Sequence, residues 1–493
     1  MRVESFLLES ARRFPGKTAL VAGAERLTYR ELASRAAALA AELARQGVAR
    51  GDRVVVFLHN SPEAVLSVFG VLMAGAVFSV VNPGTKADKL ACILNHCAAK
   101  ALITEPRLAA VANEALGRAP AVSALLTTPF SFAPAGIPGF AGIDLDLAMI
   151  VYTSGSTGFP KGVTMTHANI VAAATSITTY LESSADDIVL SVLPLAFDYG
   201  LYQALMCAKV GATLVLEKSF TYPALVLEKL RAEGVTGFPL VPTLAALQLQ
   251  MKHLRPGMFP DLRYLTNTAA ALPRAHIQRL RELFPGAKLY SMYGLTECKR
   301  CTYLPPEQLE RRPESVGIAI PGTEACVVDE QGERVAPGVT GELVIRGAHV
   351  MKGYWGDEIA TARVLRPGPY PWERVLCTGD LFRADEEGFL YFVGRKDDII
   401  KTRGEKVSPK EVENVIYELP GIREAAVIGV PDPILGQAVK AIVVADEGLT
   451  ERDVIRHCAA RLEDFMVPAM VEFRGQLPKS ENGKIARKEL MAA

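Results

Sequence analysis

The sequence predicts an α/β protein with a large N-terminal domain of several subdomains and a small α+β C-terminal domain. Its 493 residues exceed what one hydrophobic core usually supports, so we expect at least two domains. Helical and strand patterns alternate through about the first 390 residues, as in α/β architecture. A shorter pattern begins after Gly394. We therefore predict domains of residues 1–396 and 397–493.

The first domain opens with clear helix and strand signals. Thr28-Tyr-Arg-Glu31 is a capping box that precedes an Ala/Leu-rich helix. The uncharged run 64–81 is long enough for a membrane span. However, Ser61-Pro62-Glu63 begins a helix and Gly75 ends it, so we expect a buried helix and strand instead of a span. Further strands are predicted at 54–58, 101–104, 147–153 and 212–216.

The later part of the chain changes character. From about Glu324 the strands have an antiparallel pattern, with turn signals at 330–332 and 336–338. In the small domain, Ser408-Pro409-Lys410-Glu411 combines a capping box with proline at the first helical position. Thr450 opens a second helix. Strands of the small domain are predicted at 425–430, 439–445 and 471–473.

Charge and cysteine content exclude several classes of function. Lys+Arg and Asp+Glu balance at 54 each, so no net field recruits nucleic acid or a membrane surface. The N-terminus has no basic segment leading into an apolar run, so we expect no signal peptide. Eight cysteines do not suggest a disulfide framework, and Cys298-Lys-Arg-Cys301 lacks the second pair of a zinc site. We expect a reduced, cytoplasmic protein without nucleic-acid partners.

The most informative segment is Tyr-Thr-Ser-Gly-Ser-Thr-Gly-Phe-Pro-Lys-Gly, residues 152–162. It follows an apolar strand and precedes a helix predicted near Thr166. Glycines let the backbone approach a polyphosphate, hydroxyls and N–H groups donate to its oxygens, and Lys161 offsets its charge. The spacing differs from GxxxxGK[ST], which excludes an ordinary nucleotide-hydrolase P-loop. A phosphate loop of another kind is predicted, and a plain Gly/Ser/Thr turn is the alternative.

Five later segments occur in a fixed order with this loop. They are Tyr293-Gly-Leu-Thr-Glu297, Gly341–Gly347 with Gly353-Tyr354-Trp355, Thr378-Gly379-Asp380, Gly394–Gly404 and Pro478–Lys484. Together the six blocks resemble the adenylate-forming superfamily of acyl- and aryl-CoA synthetases, peptide-synthetase adenylation domains and luciferases. The chain looks most similar to stand-alone AMP-forming acyl-CoA ligases. Each block is weak alone, but six in order across most of the chain are specific.

The resemblance implies a site for ATP and Mg²⁺. In the family, the residue that matches Glu297 helps to hold Mg²⁺, a hard cation that carboxylate oxygens suit. The residue that matches Thr296 contacts the α-phosphate. Asp380 has the chemistry to accept from both ribose hydroxyls, and Arg395 to contact ribose or phosphate. The β- and γ-phosphates would be gripped by Thr153, Ser154, Gly155, Ser156, Thr157, Gly158 and Lys161.

The resemblance also implies an adenine pocket and a catalytic lysine. Tyr293 with Gly294 and the segment Thr268-Ala269-Ala270 would enclose adenine, although the segment departs from the family's usual Gly-Gly-Ala. Lys484 follows a turn, where a lysine is ordinarily solvated. In the family this lysine reaches into the cleft and bridges the attacking carboxylate and the α-phosphate. Lys484, Thr296 and Glu297 are therefore the candidate catalytic residues.

A second half-reaction follows from the same resemblance. In thioester-forming members the small domain is mobile and rotates about a hinge, which admits a pantetheine thiol. Asp397 matches the hinge, and Gly404 matches a glycine that lets the pantetheine arm pass close to the backbone. Lys401 is a candidate for the same thiol path, and a solvated lysine is the alternative. Free CoA and carrier-protein phosphopantetheine present the same arm, so both remain open as acceptors.

The candidate acid pocket contains a carboxylate, Asp198, whose role is open. Phe197, Asp198, Tyr199 and Gly200 match the segment that lines this pocket in the family, and Phe238 is a further apolar candidate. Asp198 falls where amino-acid-activating members place the aspartate that pairs with the substrate's amino group. A buried unpaired carboxylate is costly, which would give an ammonium a physical reason to bind. Those members usually have Ser in place of Gly200, and a backbone cap is the other role open to Asp198.

Taken together, these residues predict an AMP-forming ligase that adenylates a carboxylic acid with ATP and transfers the acyl group to CoA. The alternative is a free-standing adenylation enzyme that loads an amino acid or another acid on a separate carrier protein. An amide-forming ligase and a catalytically inactive nucleotide-binding protein are further alternatives. The sequence does not distinguish fatty, aromatic and amino acids, and the oligomeric state is not readable from it.

Overall fold

A computed structural model describes most of the chain. The described residues are 1–136, 142–153, 160–251, 253–268, 272–396, 398–402, 405–432, 435–479 and 485–492. In chain order the α-helices are α1 (Glu4–Arg13), α2 (Tyr29–Arg45), α3 (Pro62–Met73), α4 (Ala87–His96), α5 (Ala109–Leu116), α6 (His167–Tyr180), α7 (Asp198–Val210), α8 (Pro223–Ala232), α9 (Pro242–Leu249), α10 (Arg274–Leu283), α11 (Glu358–Val364), α12 (Pro409–Tyr417), α13 (Glu451–Ala459) and α14 (Arg487–Ala492).

The strands are, in chain order, β1 (Thr18–Ala22), β2 (Glu25–Thr28), β3 (Arg53–Phe57), β4 (Val77–Val80), β5 (Ala99–Thr104), β6 (Ala124–Thr127), β7 (Leu147–Thr153), β8 (Lys161–Thr166), β9 (Ile188–Ser191), β10 (Thr213–Leu216), β11 (Gly237–Leu240), β12 (Tyr264–Asn267), β13 (Lys288–Tyr293), β14 (Thr302–Leu304), β15 (Ile318–Ala319), β16 (Thr323–Val328), β17 (Gly341–Gly347), β18 (Gly353–Tyr354), β19 (Leu365–Pro367), β20 (Arg374–Ala384), β21 (Leu390–Arg395), β22 (Ile400–Thr402), β23 (Glu405–Val407), β24 (Ile422–Asp432), β25 (Gly436–Ala445) and β26 (Met470–Phe473).

Across the described ranges these strands form four sheets. The first has nine strands in the order β15-β14-β13-β12-β11-β9-β10-β1-β2, and the second has seven in the order β18-β8-β7-β4-β3-β5-β6. The first is parallel in the middle and antiparallel at both edges, whereas the second is antiparallel at its β18–β8–β7 edge and parallel from β7 to β6. The third, β16-β17-β20-β19 with β21 on β20, is antiparallel. The fourth is β23-β22-β25-β24 with β26 on β25.

Helix starts follow the capping signals in the sequence. The Thr28 side chain accepts from the Glu31 N–H at 3.2 Å, and the Glu31 carboxylate accepts from the Thr28 N–H at 2.8 Å. The predicted capping box is therefore confirmed. Ser61 caps α3 by accepting from the Ala64 N–H, and the uncharged run is a buried helix followed by buried β4, as predicted. Among the described residues, we find no helix with the length and apolarity needed to traverse a membrane.

The phosphate-loop region differs from the expectation in one respect. Helix α6 does start beside Thr166, whose side chain caps it. However, a strand intervenes, because residues from Lys161 to Thr166 form β8, which pairs antiparallel with β7 and sets Thr153 opposite Lys161. The segment 154–160 thus joins two arms of a β-hairpin, and not a strand to a helix. The short sequence of β8 gives a weaker signal than the helix start that follows it, so the sequence alone does not predict this strand.

The C-terminal part has its own sheet and core. Ser408 caps α12 by accepting from the Glu411 N–H, and proline occupies the first helical position, as predicted. Thr450 opens α13 with a capping box. Helices α12 and α13 cover the fourth sheet, and their apolar residues share one hydrophobic cluster with β24 and β25. The predicted fold class, a large α/β part followed by a small α+β part, is confirmed.

Candidate functional site

Three sheets supply the side chains of one candidate nucleotide site. Tyr293 is the last residue of β13 in the first sheet, Asp380 and Arg395 lie on β20 and β21 of the third, and Tyr354 lies on β18 of the second. The carboxyl ends of neighbouring parallel strands meet at one edge of a sheet, which is where ligands bind in α/β proteins. We call Tyr293, Glu297, Tyr354, Asp380 and Arg395 the nucleotide end.

Asp380 is the buried anion of the nucleotide end. It is 3% exposed, and its Oδ2 accepts a hydrogen bond from the Tyr293 hydroxyl at 2.6 Å. Arg395 is directly opposite in the β20–β21 register, with its Nε 3.0 Å from Oδ1. Burial and the Asp380 carboxylate raise the pKa of Tyr293 well above its usual value, so the hydroxyl keeps its proton and donates. The carboxylate is thus held in one orientation between a hydroxyl donor and a cation.

Glu297 is the second carboxylate of the nucleotide end. Its Oε1 accepts a hydrogen bond of 2.7 Å from the Tyr354 hydroxyl, whose pKa is raised by burial and by Glu297 itself. Lys161 Nζ lies 5.0 Å from the centre of the Tyr354 ring. Burial alone would lower the pKa of Arg395, but the negative charges nearby, Asp380 foremost and Glu297 among them, raise it. Asp380, Glu297 and Lys161 thus belong to one electrostatic neighbourhood.

The loop between β13 and β14 is folded tightly around Gly294. The Cys301 N–H donates to the Tyr293 carbonyl at 2.9 Å, which closes the loop. A Cβ on Gly294 would lie 1.8 Å from the Lys299 carbonyl oxygen, so only glycine fits there. Thr296 lies in this loop, and Thr268 directly follows β12 and is buried. These positions bring Thr268, Tyr293, Gly294 and Thr296 to the same end of the first sheet.

Several predicted site residues fall outside the described ranges, so the structure adds nothing on them. They are Ser154, Gly155, Ser156, Thr157, Gly158, Ala269, Ala270, Asp397, Gly404 and Lys484. Thr153 and Lys161 are described on β7 and β8, directly before and shortly after the predicted phosphate loop. The exposed Lys401 lies on β22, where its N–H donates to the Gln437 side chain at 2.8 Å. Its role in the thiol path stays a prediction.

The candidate acid pocket surrounds the start of α7. Phe197 precedes the helix without a side-chain cap, and Asp198 is its first residue. The buried Tyr199 hydroxyl donates to the Thr266 carbonyl at 2.9 Å, which fixes the helix start against β12. A Cβ on Gly200 would lie 2.4 Å from the Pro194 carbonyl oxygen, so the chain is too close here for a side chain. We call residues 197–200, with Lys299 and Arg300, the acid end.

Phe238 is a residue of the hydrophobic core. It is fully buried on β11, where it pairs with Leu265 of β12. Its side chain belongs to a hydrophobic cluster with residues of β9, β12 and α10. A place in the acid pocket therefore stays a prediction for Phe238, and packing accounts for its burial.

Asp198 faces a lysine of the same chain. Lys299 Nζ lies 3.7 Å from Asp198 Oδ2, and the two side chains are 1% and 13% exposed. Burial lowers the pKa of Lys299, and the Asp198 carboxylate opposes that shift. The neighbouring Arg300 is also buried, with its guanidinium 4.6 Å from the centre of the Tyr199 ring. Asp198 therefore has a cationic partner that neither sequence-based interpretation included.

Three residues of the site were missed from the sequence. Tyr354 belongs to the Gly353-Tyr354-Trp355 segment, and its place beside a glycine and a tryptophan is the available signal. Lys299 and Arg300 lie within the Cys298–Cys301 motif, in which the spacing of the thiols is the more conspicuous signal. Those sulfurs are 2.9 Å apart and buried. Within the described ranges, no group of three or more His, Cys, Asp or Glu side chains is arranged to hold a metal.

Comparison with known proteins decides the family. A sequence profile described as AMP-binding enzyme matches residues 7–355, and one described as AMP-binding enzyme C-terminal domain matches residues 411–484. This chain belongs to the AMP-binding enzyme family.

Relatives of this AMP-binding enzyme match nearly its whole length. A long-chain-fatty-acid–CoA ligase of Bacillus subtilis is 33% identical, over 99% of this chain and 94% of its own. A feruloyl-CoA synthase of Amycolatopsis is 34% identical, over 99% and 98% respectively. Among solved structures, ATP-bound MatB from Rhodopseudomonas palustris is 28% identical, with a TM-score of 0.91 over 100% of this chain and 99% of the other.

Family membership confirms the predicted class of enzyme. The AMP-binding enzyme is an ATP-dependent, AMP-forming acid–thiol ligase, as the six motif blocks indicated. Neither the domain boundary at 396/397 nor the roles of individual site residues follow from membership alone. Those assignments remain predictions.

Proposed function

We propose that this AMP-binding enzyme joins a carboxylic acid to CoA, through an acyl-adenylate formed from ATP. The observation that carries the proposal is the convergence of Tyr293, Asp380, Arg395, Glu297 and Tyr354, which come from three sheets. Relatives named as CoA ligases align with the chain from end to end, which supports CoA as the acceptor. The acceptor and the individual residue roles belong to the proposal.

The first half-reaction is carboxylate attack on ATP. An acid oxygen bonds to the α-phosphorus as the bond from that phosphorus to the bridging oxygen breaks, and pyrophosphate leaves. Two anions must approach each other, so positioning and positive charge supply most of the catalysis. We assign ribose binding to Asp380 and ribose or phosphate contact to Arg395. Thr296 at the α-phosphate, the 153–158 loop with Lys161 at the outer phosphates, and Lys484 between the reactants complete the assignment.

Mg²⁺ fits the residues of this site. Glu297 is a carboxylate, and Tyr354 donates to one of its oxygens. The other oxygen, Oε2, is a hard donor of the kind Mg²⁺ prefers, so Glu297 would hold the cation through it. Mg²⁺ would neutralise charge on the phosphate oxygens. Tyr354 acts through Glu297, because a hydrogen-bonded ligand is fixed in orientation.

The second half-reaction is acyl transfer to the thiol. The CoA sulfur bonds to the acyl carbon as its proton passes to solvent, and AMP leaves with the electron pair of the broken C–O bond. We assign residues 1–396 to binding of ATP and the acid, and 397–493 to a mobile domain that carries Lys484. Asp397 would act as the hinge, with Gly404 and Lys401 on the thiol path. A carrier-protein pantetheine would need the same path.

Acid-dependent exchange of pyrophosphate into ATP tests the first step. The panel contains fatty, aromatic and amino acids, each with and without Mg²⁺, and we expect Mg²⁺-dependent exchange with at least one acid. Exchange with none would contradict the proposal and favour an inactive nucleotide-binding protein. Each active acid is then incubated with CoA, a carrier protein bearing phosphopantetheine, or an amine, and the products are identified by mass spectrometry. Acyl-CoA is expected, and transfer only to the carrier or the amine would overturn the assigned acceptor.

A further inference from the structure

The buried pair of Asp198 and Lys299 is the least expected feature of the acid end. Lys299 is buried more completely than almost any lysine, and its Nζ makes no hydrogen bond to the described residues. Its backbone has φ +63°, a left-handed conformation that is unfavourable for a residue with a side chain. Burial of an ammonium and strain in the backbone both destabilise the fold. Both are incurred at the residue that sets an ammonium 3.7 Å from Asp198.

We propose that Lys299 determines substrate specificity, because its ammonium occupies the place beside Asp198 that the amino group of an amino-acid substrate would otherwise take. The enzyme therefore activates acids that carry no ammonium group at the pocket. This inference rests on the proposed function, and it narrows the class of acid. It also gives Asp198 a role in the free enzyme, as the carboxylate that pairs with the buried Lys299 side chain.

The charge around Asp198 supports this specificity. Arg300, 4% exposed, follows Lys299 in the chain and is stacked on the Tyr199 ring, so the acid end contains a second buried cation besides the one that pairs with Asp198. Its Nε, like the Tyr202 hydroxyl and Lys299 Nζ, has no hydrogen-bond partner among the described residues. The acid end therefore has an excess of positive charge and of hydrogen-bond donors. A substrate ammonium would add further positive charge and further hydrogen-bond donors to this end, whereas a neutral or anionic group would add no positive charge.

The backbone near Asp198 agrees with this conclusion. A side chain at position 200 would meet the Pro194 carbonyl oxygen at 2.4 Å, so the serine usual in amino-acid-activating members does not fit here. Asp198 therefore matches the pattern of amino-acid-activating members, whereas Gly200 in the chain and Lys299 in space do not. An acid pocket is selective through its whole lining, including the groups that repel the wrong substrate.

The test compares Lys299→Met with the wild type, because methionine keeps the length of the side chain and removes its charge. Each amino acid is paired with the acid that lacks its amino group, as in phenylalanine with 3-phenylpropionate, leucine with 4-methylpentanoate and proline with cyclopentanecarboxylate. We expect the wild type to exchange pyrophosphate with none of the amino acids above background. In Lys299→Met we expect exchange with at least one amino acid to rise by about tenfold or more.

Three further variants control for folding and charge. Lys299→Met with Asp198→Asn removes both charges and is expected to lose the gain, since no carboxylate remains for an ammonium. Lys299→Arg keeps a cation and is expected to reject amino acids, as the wild type does. Lys209→Met removes a half-buried lysine of α7 outside the site and is expected to match the wild type. Thermal unfolding measures the stability of each variant.

Separate outcomes contradict the inference and the proposed function. Exchange with no acid of any class would contradict the proposed function. Wild-type exchange with an amino acid that Asp198→Asn abolishes would overturn only the inference, as would Lys299→Met that folds and gains no amino-acid exchange. If Lys299→Met does not fold, Lys299→Gln decides, because glutamine also removes the charge and keeps a polar side chain. A gain of amino-acid exchange in folded Lys299→Gln supports the inference, and continued rejection overturns it.

Discussion

At the nucleotide end Asp380 accepts a hydrogen bond from Tyr293 and pairs with Arg395, whereas at the acid end Asp198 faces Lys299 with no hydrogen bond between them. Both carboxylates are largely buried and both have a cation beside them. Their cations differ in access, because Arg395 is 58% exposed while Lys299 is 1% exposed. An exposed arginine can reorient towards a phosphate or ribose, but a buried lysine cannot leave its carboxylate.

The difference in cation access indicates that the two ends of the site have different roles. At the nucleotide end each carboxylate accepts a hydrogen bond from a tyrosine hydroxyl and the cation is accessible, which suits a substrate that is the same in every cycle. The acid end keeps unpaired donors in a closed, cationic environment, which suits discrimination between similar acids. The predictions below perturb one end at a time, and the first perturbs both.

Lys484→Ala should have the largest effect, because this lysine is assigned to bridge the acid and the α-phosphate. We expect acid-dependent exchange to fall on the order of 100-fold or more, with little change in ATP binding. Exchange kinetics and calorimetric titration with ATP measure the two quantities. Lys479→Ala is the matched control, since Lys479 pairs with Glu424 at the surface, and it should stay within about twofold. Near-normal exchange in Lys484→Ala would remove the lysine from the chemistry.

Asp380→Asn should impair the nucleotide end and leave the acid end nearly unchanged. It removes the charge that orders Tyr293 and Arg395 and an acceptor for ribose, so we expect the KM for ATP to rise roughly 10- to 100-fold. The KM for the acid should change little. Asp329→Asn, in an exposed turn, is the control and should resemble the wild type. Equal increases in both KM values would mean that Asp380 supports the whole site and not the nucleotide end alone.

Tyr354→Phe should change only the Mg²⁺ requirement of the nucleotide end. Loss of the hydroxyl frees Glu297 to rotate, and we expect the Mg²⁺ concentration for half-maximal exchange to rise about tenfold. The KM for the acid should be unaffected. Tyr370→Phe, on a half-exposed ring elsewhere, is the control. An unchanged Mg²⁺ requirement in Tyr354→Phe would show that Glu297 does not need its partner, or does not hold the cation.

Gly200→Ser should have the smallest effect on turnover and should be confined to the acid end. The new side chain meets the Pro194 carbonyl oxygen, so we expect a loss of about 1–3 kcal/mol in the free energy of unfolding and a KM for the acid raised a few-fold. Chemical denaturation and steady-state kinetics measure these effects. Gly16→Ser introduces a side chain with no neighbour within 4 Å and should be neutral. A neutral Gly200→Ser would show that the backbone there yields readily.

The nucleotide end was largely predictable from the sequence, because its residues lie in motifs whose order is specific. Helix starts were predictable for a local reason, since capping boxes such as those at Thr28 and Thr450 are determined within four residues. The sequence could not supply the partners of Asp380 and Glu297. Those hydrogen bonds join residues far apart in the chain, and the sheet order that unites them is not a local property.

Lys299 was not predictable at all. Lysine is ordinarily exposed, so nothing in its type indicates burial. Its left-handed backbone depends on the tight loop closed between Tyr293 and Cys301, and its partner Asp198 is about a hundred residues earlier. From the sequence, Asp198 is a candidate to pair with a cation, and in the structure Lys299 lies beside it. What the sequence did not indicate was the identity of that cation, which the chain itself provides.

The pairing of β7 with β8 has a consequence for how this enzyme can be altered. Thr153 and Lys161 face each other across the hairpin, and adjacent residues of a strand point to opposite faces. The register of this pairing therefore fixes the spacing between the strand that leads into the predicted phosphate loop and the strand that begins with Lys161. Inserting a single residue within either arm would turn every later side chain of that arm to the opposite face of the sheet. The two strands thus act as a fixed frame for the residues predicted to bind phosphate.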